Sequence, residues 1–433
     1  MEMFDKAIET MPRKAIEEMQ LERLKKTVQN VYDNNKVYKA KFDAAGVKPA
    51  MIKSLKDIVN LPFTVKDDFR DNFPYGLFTA PMSDIVRVHA SSGTTGKPIV
   101  VGYTKADLEM WSDCVARFLV SCGGTKDDIV QIAFGYGLFT GALGLHYGWE
   151  KIGATVVPIS SGNTERQIHM MNDLRVTALV STPSYALYLG ESVKKCGLKR
   201  EDLALKLGFF GAEASTPEMH QQISELFGIH TNDNYGLSEI MGPGVSGECW
   251  HKCGMHIAED HFYAEILDPD TLTPVKEGEW GELAITTITK QGIPIIRYRT
   301  KDITRIVYEP CKCGRTHARM EKIKGRTDDM LIIKGVNVFP SQIESVLLEM
   351  PDVGNHYEVT VTRNNYMDEI EISVEVVDGS LLENLRQLEA LRKRIASKIK
   401  SVLQIDAKIK LVEPLTLKRF EGKAKRVNDL RNK

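Results

Sequence analysis

An eight-residue segment from Ser91 to Pro98 carries the residue types that bind a polyphosphate. It holds two serines, two threonines, two glycines and one lysine. Glycines let backbone N–H groups approach phosphate oxygens, hydroxyls donate hydrogen bonds, and a lysine supplies a positive charge. The β-branched runs 85–89 and 99–101 flank the segment and predict a loop between two strands. The pattern predicts a phosphate-binding loop, with an ordinary polar turn as the alternative.

Two nucleotide-binding motifs are excluded by glycine spacing. The loop at 91–98 is not a Walker A motif, because its glycines are too close together and Pro98 stands where a Ser or Thr would hold magnesium. The segment Phe134–Gly141 has the spacing G-x-G-x-x-x-G, and no acidic residue follows about 20 residues later in a β context. It is therefore not a dinucleotide fingerprint.

Other segments carry single residues that suit a nucleotide. In the segment 233–239, the ring of Tyr235 could stack on adenine, and the carboxylate of Glu239 could hold a magnesium ion that bridges phosphates. In the segment 298–302, the carboxylate of Asp302 could accept both ribose hydroxyls. Each pattern is weak alone, because Tyr-Gly is a common turn and glutamate a common surface residue.

The composition and net charge of the chain limit the classes of function that it can have. The chain has 433 residues, enough for two or three domains, and its 42% hydrophobic and 27% charged residues are typical of a globular protein. A formal net charge of -1 argues against bulk attraction to nucleic acid or to a membrane. The sequence has no apolar run of membrane-spanning length and no signal-peptide core at its amino end. We therefore expect a cytoplasmic protein without a nucleic-acid or membrane partner.

The elements that must position these residues alternate between helix and strand. Near-continuous apolar strands separated by helix-length segments predict a parallel α/β sheet covered on both faces. Sites in such folds lie at the carboxyl ends of the strands, where the loops 134–141 and 211–213 fall. The predicted strands are 128–133, 154–158, 178–181 and 205–210.

Two further regions differ from this pattern in the order of their predicted helices, strands and turns. Residues 261–306 alternate between β-like runs and turns, which predicts antiparallel sheet. After residue 325 the order becomes β-α-β-β-α-β, which predicts a small ferredoxin-like α+β domain. Its predicted elements are strand 330–333, helix 341–350, strands 356–363 and 369–377, helix 381–403 and strand 407–412.

Seven cysteines are an odd number, and four of them lie between Cys249 and Cys313. This spacing suits metal binding by reduced thiols better than a disulfide framework. The remaining three, Cys114, Cys122 and Cys196, are predicted to be small buried hydrophobic residues.

The order of these segments, followed by 325–329 and 421–425, resembles that of the adenylate-forming superfamily. The longer phrases 136–141, 235–244 and 328–342 resemble the phenylacetate-CoA ligase family, and the resemblance covers nearly the whole chain. It implies an enzyme in which a carboxylate attacks the α-phosphate of ATP, and coenzyme A then attacks the acyl-adenylate. It also implies an amino-terminal adenylation domain, 1–327, and a mobile carboxyl-terminal domain, 328–433.

The resemblance assigns roles to individual residues. Lys423 is the implied catalytic cation of adenylation, Glu239 the magnesium ligand and Asp328 the hinge, while Lys334 and Gly335 are assigned to coenzyme A. The residues assigned to ATP or AMP are Ser91, Ser92, Gly93, Thr94, Thr95, Gly96, Lys97, Gly211, Ala212, Glu213, Asp233, Asn234, Tyr235, Gly236, Asp302 and Arg326.

An aryl acid needs a pocket of aromatic and small residues with few polar groups. The predicted lining is Tyr136, Phe139, Gly141, Ala212, Ile240 and Pro243. The gate that many relatives place in this region has two candidates, Phe134 and Tyr136, and the sequence does not decide between them.

The family match also singles out Cys249, His256, Cys311 and Cys313 as ligands of a zinc ion, with Cys253, His251 and His317 as outside candidates. Four protein ligands close the coordination shell, so this zinc would be structural.

Only 90 residues precede the phosphate loop, so the pocket walls of longer relatives cannot be transferred to this chain.

Two functions other than a coenzyme A ligase stay open at the level of sequence. An enzyme that transfers AMP, or that passes the acyl group to another acceptor, would carry similar motifs. A zinc ribbon that binds nucleic acid is a third hypothesis, although the cysteine spacing and the net charge argue against it. The state of assembly is also open, with a homodimer as one outcome.

Overall fold

The computed structural model describes residues 2–91, 98–333, 336–364, 367–382, 384–420 and 424–431. The α-helices of these residues are α1 (Lys6–Glu9), α2 (Arg13–Asn34), α3 (Lys36–Ala44), α4 (Lys66–Asp71), α5 (Lys105–Ser121), α6 (Thr140–Lys151), α7 (Thr164–Asp173), α8 (Pro183–Ser192), α9 (Pro217–Phe227), α10 (Pro340–Leu348) and α11 (Leu385–Leu403). Short 3-10 helices cover Pro49–Met51, Leu55–Asn60, Lys194–Cys196, Arg200–Asp202 and Gly379–Leu382.

The strands of the large domain come first in the chain. They are β1 (Ile85–Ala90), β2 (Val100–Thr104), β3 (Ile129–Ile132), β4 (Thr155–Val157), β5 (Ala178–Ser181), β6 (Leu207–Phe210), β7 (His230–Leu237), β8 (Gly242–Gly247), β9 (Met255–Ile257), β10 (Phe262–Leu267), β11 (Gly281–Thr287), β12 (Tyr298–Thr304), β13 (Ile306–Val307), β14 (Arg319–Met320) and β15 (Gly325–Arg326). The later strands are β16 (Leu331–Ile333), β17 (Val336–Val338), β18 (Val353–Asn364), β19 (Met367–Val376), β20 (Lys408–Val412) and β21 (Val427–Asp429).

A nine-stranded sheet organises the large domain, in the order β13-β14-β9-β8-β7-β6-β5-β3-β4. The run from β4 through β7 is parallel, as the apolar strands predict. Strands β5 and β6 are buried along their whole length, which is why their sequences lack polar alternation. From β7 onward the neighbours are antiparallel, an extension that the sequence does not predict.

The start of α5 is capped by side chains and tied to a distant loop. Thr104 and Asp107 form a capping box at the start of α5, in which each side chain accepts a hydrogen bond from the other residue's backbone N–H. Asp107 also accepts from the N–H groups of Gln291 and Gly292, at 2.7 and 2.8 Å. The same carboxylate therefore ties α5 to the loop between β11 and β12.

The antiparallel section predicted for 261–306 is confirmed by strands β10, β11 and β12, which form one sheet with β15. The hairpin predicted around the phosphate loop is confirmed by β1 and β2, which pair antiparallel. Among the described residues, no helix combines the length and apolar character that a membrane crossing requires.

The carboxyl-terminal domain has its own hydrophobic core and differs from the predicted ferredoxin-like pattern in one strand. Its four-stranded sheet has the order β20-β19-β18-β21. The predicted first strand instead pairs with β17 in a separate hairpin. The strand Val427–Asp429 lies parallel beside β18 at the sheet edge. Three residues in a basic, polar tail give no periodic signal, so this strand escaped prediction.

Candidate active site

The base of the phosphate loop is described, and the six residues at its centre are not. The backbone N–H of Ser91 donates to the carbonyl of Ile99 at 2.9 Å, and the N–H of Ile99 donates to Ser91 Oγ at 3.1 Å. Next to it, the N–H of Ala90 donates to the carbonyl of Leu138 at 2.8 Å. The base of the loop is thus fixed beside the end of β3. The predicted ligands Ser92, Gly93, Thr94, Thr95, Gly96 and Lys97 lie outside the described residues.

The predicted ribose residues meet around Asp302. The hydroxyl of Tyr235 donates to Asp302 Oδ2 at 2.6 Å, and Arg326 Nη1 donates to Asp302 Oδ1 at 3.0 Å. The register of β12 and β15 brings this about, because it sets Asp302 directly opposite Arg326. Burial raises the pKa of Asp302 above its ordinary value, although the charge of Arg326 opposes that shift. Three residues from distant segments thus form one network.

The predicted hinge residue belongs to the same network. Arg326 donates two parallel hydrogen bonds to the carboxylate of Asp328, at 2.8 and 2.9 Å. The guanidinium therefore joins the predicted ribose carboxylate to the start of the carboxyl-terminal domain. Bidentate geometry of this kind fixes direction as well as distance.

Glu239 lies in a turn after β7 and is 8% exposed. Flanking residues anchor this turn. Ser238 Oγ is 3.0 Å from Thr140 Oγ1, and the hydroxyl of Tyr103 donates to the carbonyl of Met241 at 2.6 Å. Lys290 Nζ donates to the carbonyl of Ile240 at 2.7 Å. The predicted magnesium ligand is thus held by a rigid backbone, and an oxygen donor of this type suits magnesium.

Sequence reasoning missed the buried residues behind this turn. Lys290 is 2% exposed, and burial lowers the pKa of its ammonium to about 8. Its Nζ lies 4.8 Å from the centroid of the Tyr103 ring, which stacks on Trp111 at a centroid distance of 5.0 Å. These residues are distant in sequence from the turn that they support, so no local sequence pattern predicts their role.

The remaining residues assigned to ATP or AMP lie in two neighbouring segments, the loop after β6 and the strand β7. Ala212 has a φ of 71°, in the left-handed region. A Cβ at Gly211 would lie 3.0 Å from the carbonyl oxygen of Asn234, so the close approach of the two segments favours glycine there. Gly236 also requires the absence of a side chain, because a Cβ would lie 1.8 Å from the carbonyl oxygen of Gly242.

The carboxylate of Asp233 is surrounded by protein groups. Ser215 Oγ donates to it at 2.7 Å, Lys322 Nζ lies at 3.3 Å, and His220 Nε2 lies at 3.5 Å. Burial alone would raise the pKa of Asp233, but Lys322 and His220 together lower it to about 2. The side chain of Asn234 donates to the carbonyl of Phe210 at 2.7 Å. Both side chains therefore tie β7 to the end of β6 and to the loop that follows it.

Glu213 bridges the two domains. Its Oε1 accepts from the N–H of Ser184 at 2.7 Å, and its Oε2 accepts from the N–H of Ala424 at 3.0 Å. Ala424 directly follows Lys423, which lies outside the described residues, as do Lys334 and Gly335. The backbone next to the predicted catalytic lysine is therefore docked on the loop after β6.

The predicted acid-pocket residues lie in three places. Tyr136, Phe139 and Gly141 lie in the loop after β3 and at the start of α6, where the Tyr136 hydroxyl is 3.0 Å from His146 Nδ1. Ile240 and Pro243 are buried beneath that loop, while Ala212 is exposed on the loop after β6. Of the two gate candidates, Phe134 is 6% exposed and belongs to the core.

Four sulfur and nitrogen atoms converge at the far end of the antiparallel extension. One ligand atom from each of Cys249, His256, Cys311 and Cys313 lies within 4.8 Å of the others. Cys249 Sγ is 3.7 Å from Cys311 Sγ, and Cys313 Sγ is 3.3 Å from His256 Nε2. Zinc–sulfur bonds of about 2.3 Å at tetrahedral angles would separate two sulfurs by about 3.8 Å. The cluster therefore has the dimensions of a zinc site.

Two of the three outside candidates for that site, Cys253 and His317, are engaged elsewhere. The Cys253 thiol donates to the carbonyl of His251 at 3.3 Å. The two ring nitrogens of His317 lie 3.0 and 3.1 Å from the carbonyl oxygens of Ile257 and Ile8. The carbonyl of His317 faces His256 Nδ1 at 3.3 Å, an arrangement that orients the His256 ring.

The fold agrees with the class of protein that the sequence motifs predict. It has a parallel sheet, an antiparallel hairpin around the segment 91–98 and a small carboxyl-terminal domain docked on the large one, as expected of an adenylate-forming enzyme. The family model for AMP-binding enzymes matches residues 9–289, and the model for the AMP-binding enzyme C-terminal domain matches residues 335–431.

A curated relative narrows the family. The phenylacetate-coenzyme A ligase of Thermus thermophilus is 47% identical to this chain over 443 residues, covering 99% of the chain and 100% of that protein. The chain belongs to the AMP-binding enzymes and, within them, to the phenylacetate-coenzyme A ligase family. The resemblance predicted from the sequence motifs is thereby confirmed.

Solved structures of one related ligase distinguish two arrangements of the domains. A 2-hydroxyisobutyryl-CoA ligase in the postadenylation state, with R3-HIB-AMP bound, is 29% identical, covers 98% of this chain and 92% of its own, and has a TM-score of 0.93. The same ligase in the thioesterification state, with 2-HIB-AMP and CoA, is 30% identical, covers 99% and 93%, and has a TM-score of 0.74. The domains of this chain are therefore arranged more like those of the postadenylation state.

Proposed function

We propose that this protein is an ATP-dependent ligase that joins phenylacetate to coenzyme A through phenylacetyl-adenylate, releasing pyrophosphate and then AMP. The observation that carries the proposal is the full-length likeness to a phenylacetate-coenzyme A ligase. The geometry supports it, because aromatic and small residues at the end of β3 adjoin the base of the phosphate loop.

In the first half-reaction, a carboxylate oxygen of phenylacetate attacks the α-phosphorus and pyrophosphate leaves. The phosphate loop, through Thr94, Thr95 and Lys97, would hold the β- and γ-phosphates, and Tyr235 would stack on adenine. Lys423 would contact both the carboxylate and the α-phosphoryl group, where negative charge builds in the transition state. A magnesium ion held by Glu239 would neutralise phosphate charge.

The Asp302 network would bind the ribose. A carboxylate with two acceptor oxygens suits the two ribose hydroxyls, and the protein partners Tyr235 and Arg326 fix its direction. The rigid network means that the ribose meets an oriented acceptor, which lowers the entropy cost of binding.

In the second half-reaction, the thiolate of coenzyme A attacks the acyl carbon and AMP leaves. The carboxyl-terminal domain would turn about Asp328 and present Lys334 and Gly335 to coenzyme A. We propose a domain boundary between residues 327 and 328, so that the large domain carries the nucleotide in both arrangements.

The acid pocket would be lined by Tyr136, Phe139 and Gly141. Tyr136 is the better gate candidate, because Phe134 belongs to the core. A Cβ at Gly141 would lie 2.5 Å from Cε1 of Phe139, so the absence of a side chain there lets the Phe139 ring lie against α6. A flat aryl group would pack between such rings without leaving a polar group unpaired.

An acid screen tests the substrate. We expect phenylacetate to have a higher kcat/KM than benzoate, indoleacetate or medium-chain fatty acids, measured as formation of the coenzyme A thioester. We also expect free coenzyme A to be the acceptor, in preference to phosphopantetheinyl carrier proteins. A preference for a fatty acid, or adenylate formation without thioester formation, would overturn the respective part of the proposal.

We propose that Cys249, His256, Cys311 and Cys313 hold a structural zinc ion. Three thiols and one imidazole form a closed tetrahedral ligand set, and the atomic separations suit zinc. The four residues come from two segments about 60 residues apart, so the metal would tie β9 and the loop before it to the loop before β14.

Removing the metal should lower stability and spare the chemistry. Protein purified without a chelator should contain about one zinc per chain by elemental analysis. Cys311→Ser should lower the Tm by more than about 5 °C, since loss of a closed ligand set costs several kcal/mol. Its kcat at low temperature should stay close to that of the wild type. Cys196→Ser, outside the cluster, is the matched control, and a zinc content below half an equivalent would contradict the site.

The remaining expectations complete the proposal. We propose a cytoplasmic enzyme whose partners are the aryl acid, ATP and coenzyme A, with neither nucleic acid nor membrane among them. A homodimer is the assembly to test by light scattering.

A further inference from the structure

The structure records a set of polar contacts between the two domains that centres on one face of the large domain. The face consists of α8, the loop after β6 and the start of α9. Asn355 Nδ2 donates to Glu191 Oε1 at 2.8 Å, and Ser345 Oγ donates to Glu218 Oε2 at 3.2 Å. Leu348 of the small domain packs in a hydrophobic cluster of the large one. The small domain is therefore docked by specific contacts in this arrangement.

Two of these contacts involve the chain immediately after Lys423. The Ala424 N–H donates to Glu213 Oε2 at 3.0 Å. Two residues later, Arg426 Nη2 donates to Ser184 Oγ at 3.1 Å, while its other nitrogen pairs with Glu344 of the small domain. The guanidinium also lies 4.6 Å from the centroid of the Tyr357 ring. Arg426 thus fixes the segment to both domains.

Glu213, on the large domain, accepts a hydrogen bond from the backbone N–H of Ala424. Its second oxygen accepts from Ser184 N, at the start of α8, so the carboxylate cannot turn without losing a hydrogen bond. Both oxygens are used by backbone donors, and a carboxylate accepts such bonds more strongly than a neutral group does. This use of the side chain differs from the nucleotide contact that the sequence motif predicts.

We propose that Glu213 is a positioning residue for adenylation: by accepting the backbone N–H of Ala424, it holds the small domain in the arrangement that serves the first half-reaction. This inference rests on the proposed function, in which Lys423 serves the first half-reaction. The contact must break when the small domain turns for thioester formation, so Glu213 acts on the first half-reaction alone.

The test is Glu213→Gln, with the half-reactions measured separately. Glutamine keeps one acceptor oxygen and turns an NH₂ group toward the other backbone N–H. We expect acid-dependent pyrophosphate exchange to fall about 10- to 100-fold, the loss typical of a hydrogen bond to a charged group. Thioester formation from synthetic phenylacetyl-adenylate and coenzyme A should stay within about twofold of the wild type, which also shows that the variant is folded.

Glu218→Gln is the matched control. It lies on the same face, but an amide oxygen still accepts the bond from the Ser345 hydroxyl, so both half-reactions should stay near wild-type rates. A direct nucleotide role for Glu213 would instead raise the Kd of a non-hydrolysable ATP analogue. Equal loss in both half-reactions, or a tenfold weaker analogue affinity that accounts for the whole effect, would overturn the proposal.

The experiment distinguishes an error in the proposed substrate from an error in the proposed role of Glu213. If wild-type protein exchanges pyrophosphate with another acid and not with phenylacetate, the substrate is wrong, and the Glu213 test is run with that acid. If the wild type is active and Glu213→Gln exchanges at the wild-type rate, the positioning role is wrong.

Discussion

Lys423→Ala should abolish phenylacetyl-adenylate formation and spare the second half-reaction. The α-phosphoryl group gains negative charge in the transition state, and a lysine that meets it there stabilises the transition state more than bound ATP. Loss of one such group typically lowers kcat by about 10²- to 10³-fold. Pyrophosphate exchange measures this loss, and thioester formation from synthetic acyl-adenylate measures what remains.

Lys425→Ala is the control for Lys423→Ala. Lys425 is an exposed lysine two residues away, so its loss removes the same charge from the same segment without removing the reacting cation. We expect it to exchange pyrophosphate at a rate close to that of the wild type. If Lys423→Ala lowers the rates of both half-reactions to a similar extent, the claim that Lys423 serves adenylation alone is refuted.

Asp328→Pro should have the opposite profile. Proline fixes φ near −65°, which restricts rotation at the proposed hinge and leaves one arrangement of the domains accessible. Because the chain in this arrangement resembles a postadenylation state, adenylation should continue. Thioester formation should fall by about 100-fold, the loss that a small misplacement of reacting groups can cause. Single-turnover measurement of each half-reaction gives the two rates.

Asp328→Ala separates the hinge from the ion pair. Both substitutions remove the carboxylate that holds Arg326, but alanine leaves φ free. If Asp328→Ala loses thioester formation as severely as Asp328→Pro, the Arg326 pair matters and the backbone rotation does not. If Asp328→Pro forms thioester at the normal rate, Asp328 is not the hinge.

The sequence predicts the elements whose signal is local. Strands β3, β5 and β6 are largely apolar runs that the sheet buries almost completely, so their composition reveals them. Strand β8 could not be predicted, because Gly242–Gly247 contains three glycines and a proline, which are rare in strands. The structure explains that composition, since a Cβ at Gly244 would lie 2.8 Å from Val115 Cγ2 and one at Gly247 would lie 2.1 Å from Phe118 Cδ2. Strand β8 packs so closely on α5 that it needs glycines, although intrinsic β-propensity would place glycines in loops.

The sequence motifs predict which residues belong to the site, but they do not predict which of these residues contact one another. Tyr235, Asp302 and Arg326 stand out in sequence because each lies in a recognisable phrase. The β12–β15 register sets Asp302 opposite Arg326, and the Tyr235 hydroxyl reaches Asp302 from β7. No local pattern encodes either contact. Lys290 and Glu213 reach their partners across 50 and 211 residues of chain, respectively, so only the folded structure reveals what they hold.

Isotope transfer tests the central claim that the protein forms an acyl-adenylate of phenylacetate. With both carboxylate oxygens of phenylacetate labelled with ¹⁸O, attack on the α-phosphorus carries one labelled oxygen into AMP and leaves the other in the thioester. Mass spectrometry of the products should therefore find one ¹⁸O in AMP and none in pyrophosphate. Label in inorganic phosphate together with ADP as the product, or thioester formation without label in AMP, would contradict the account.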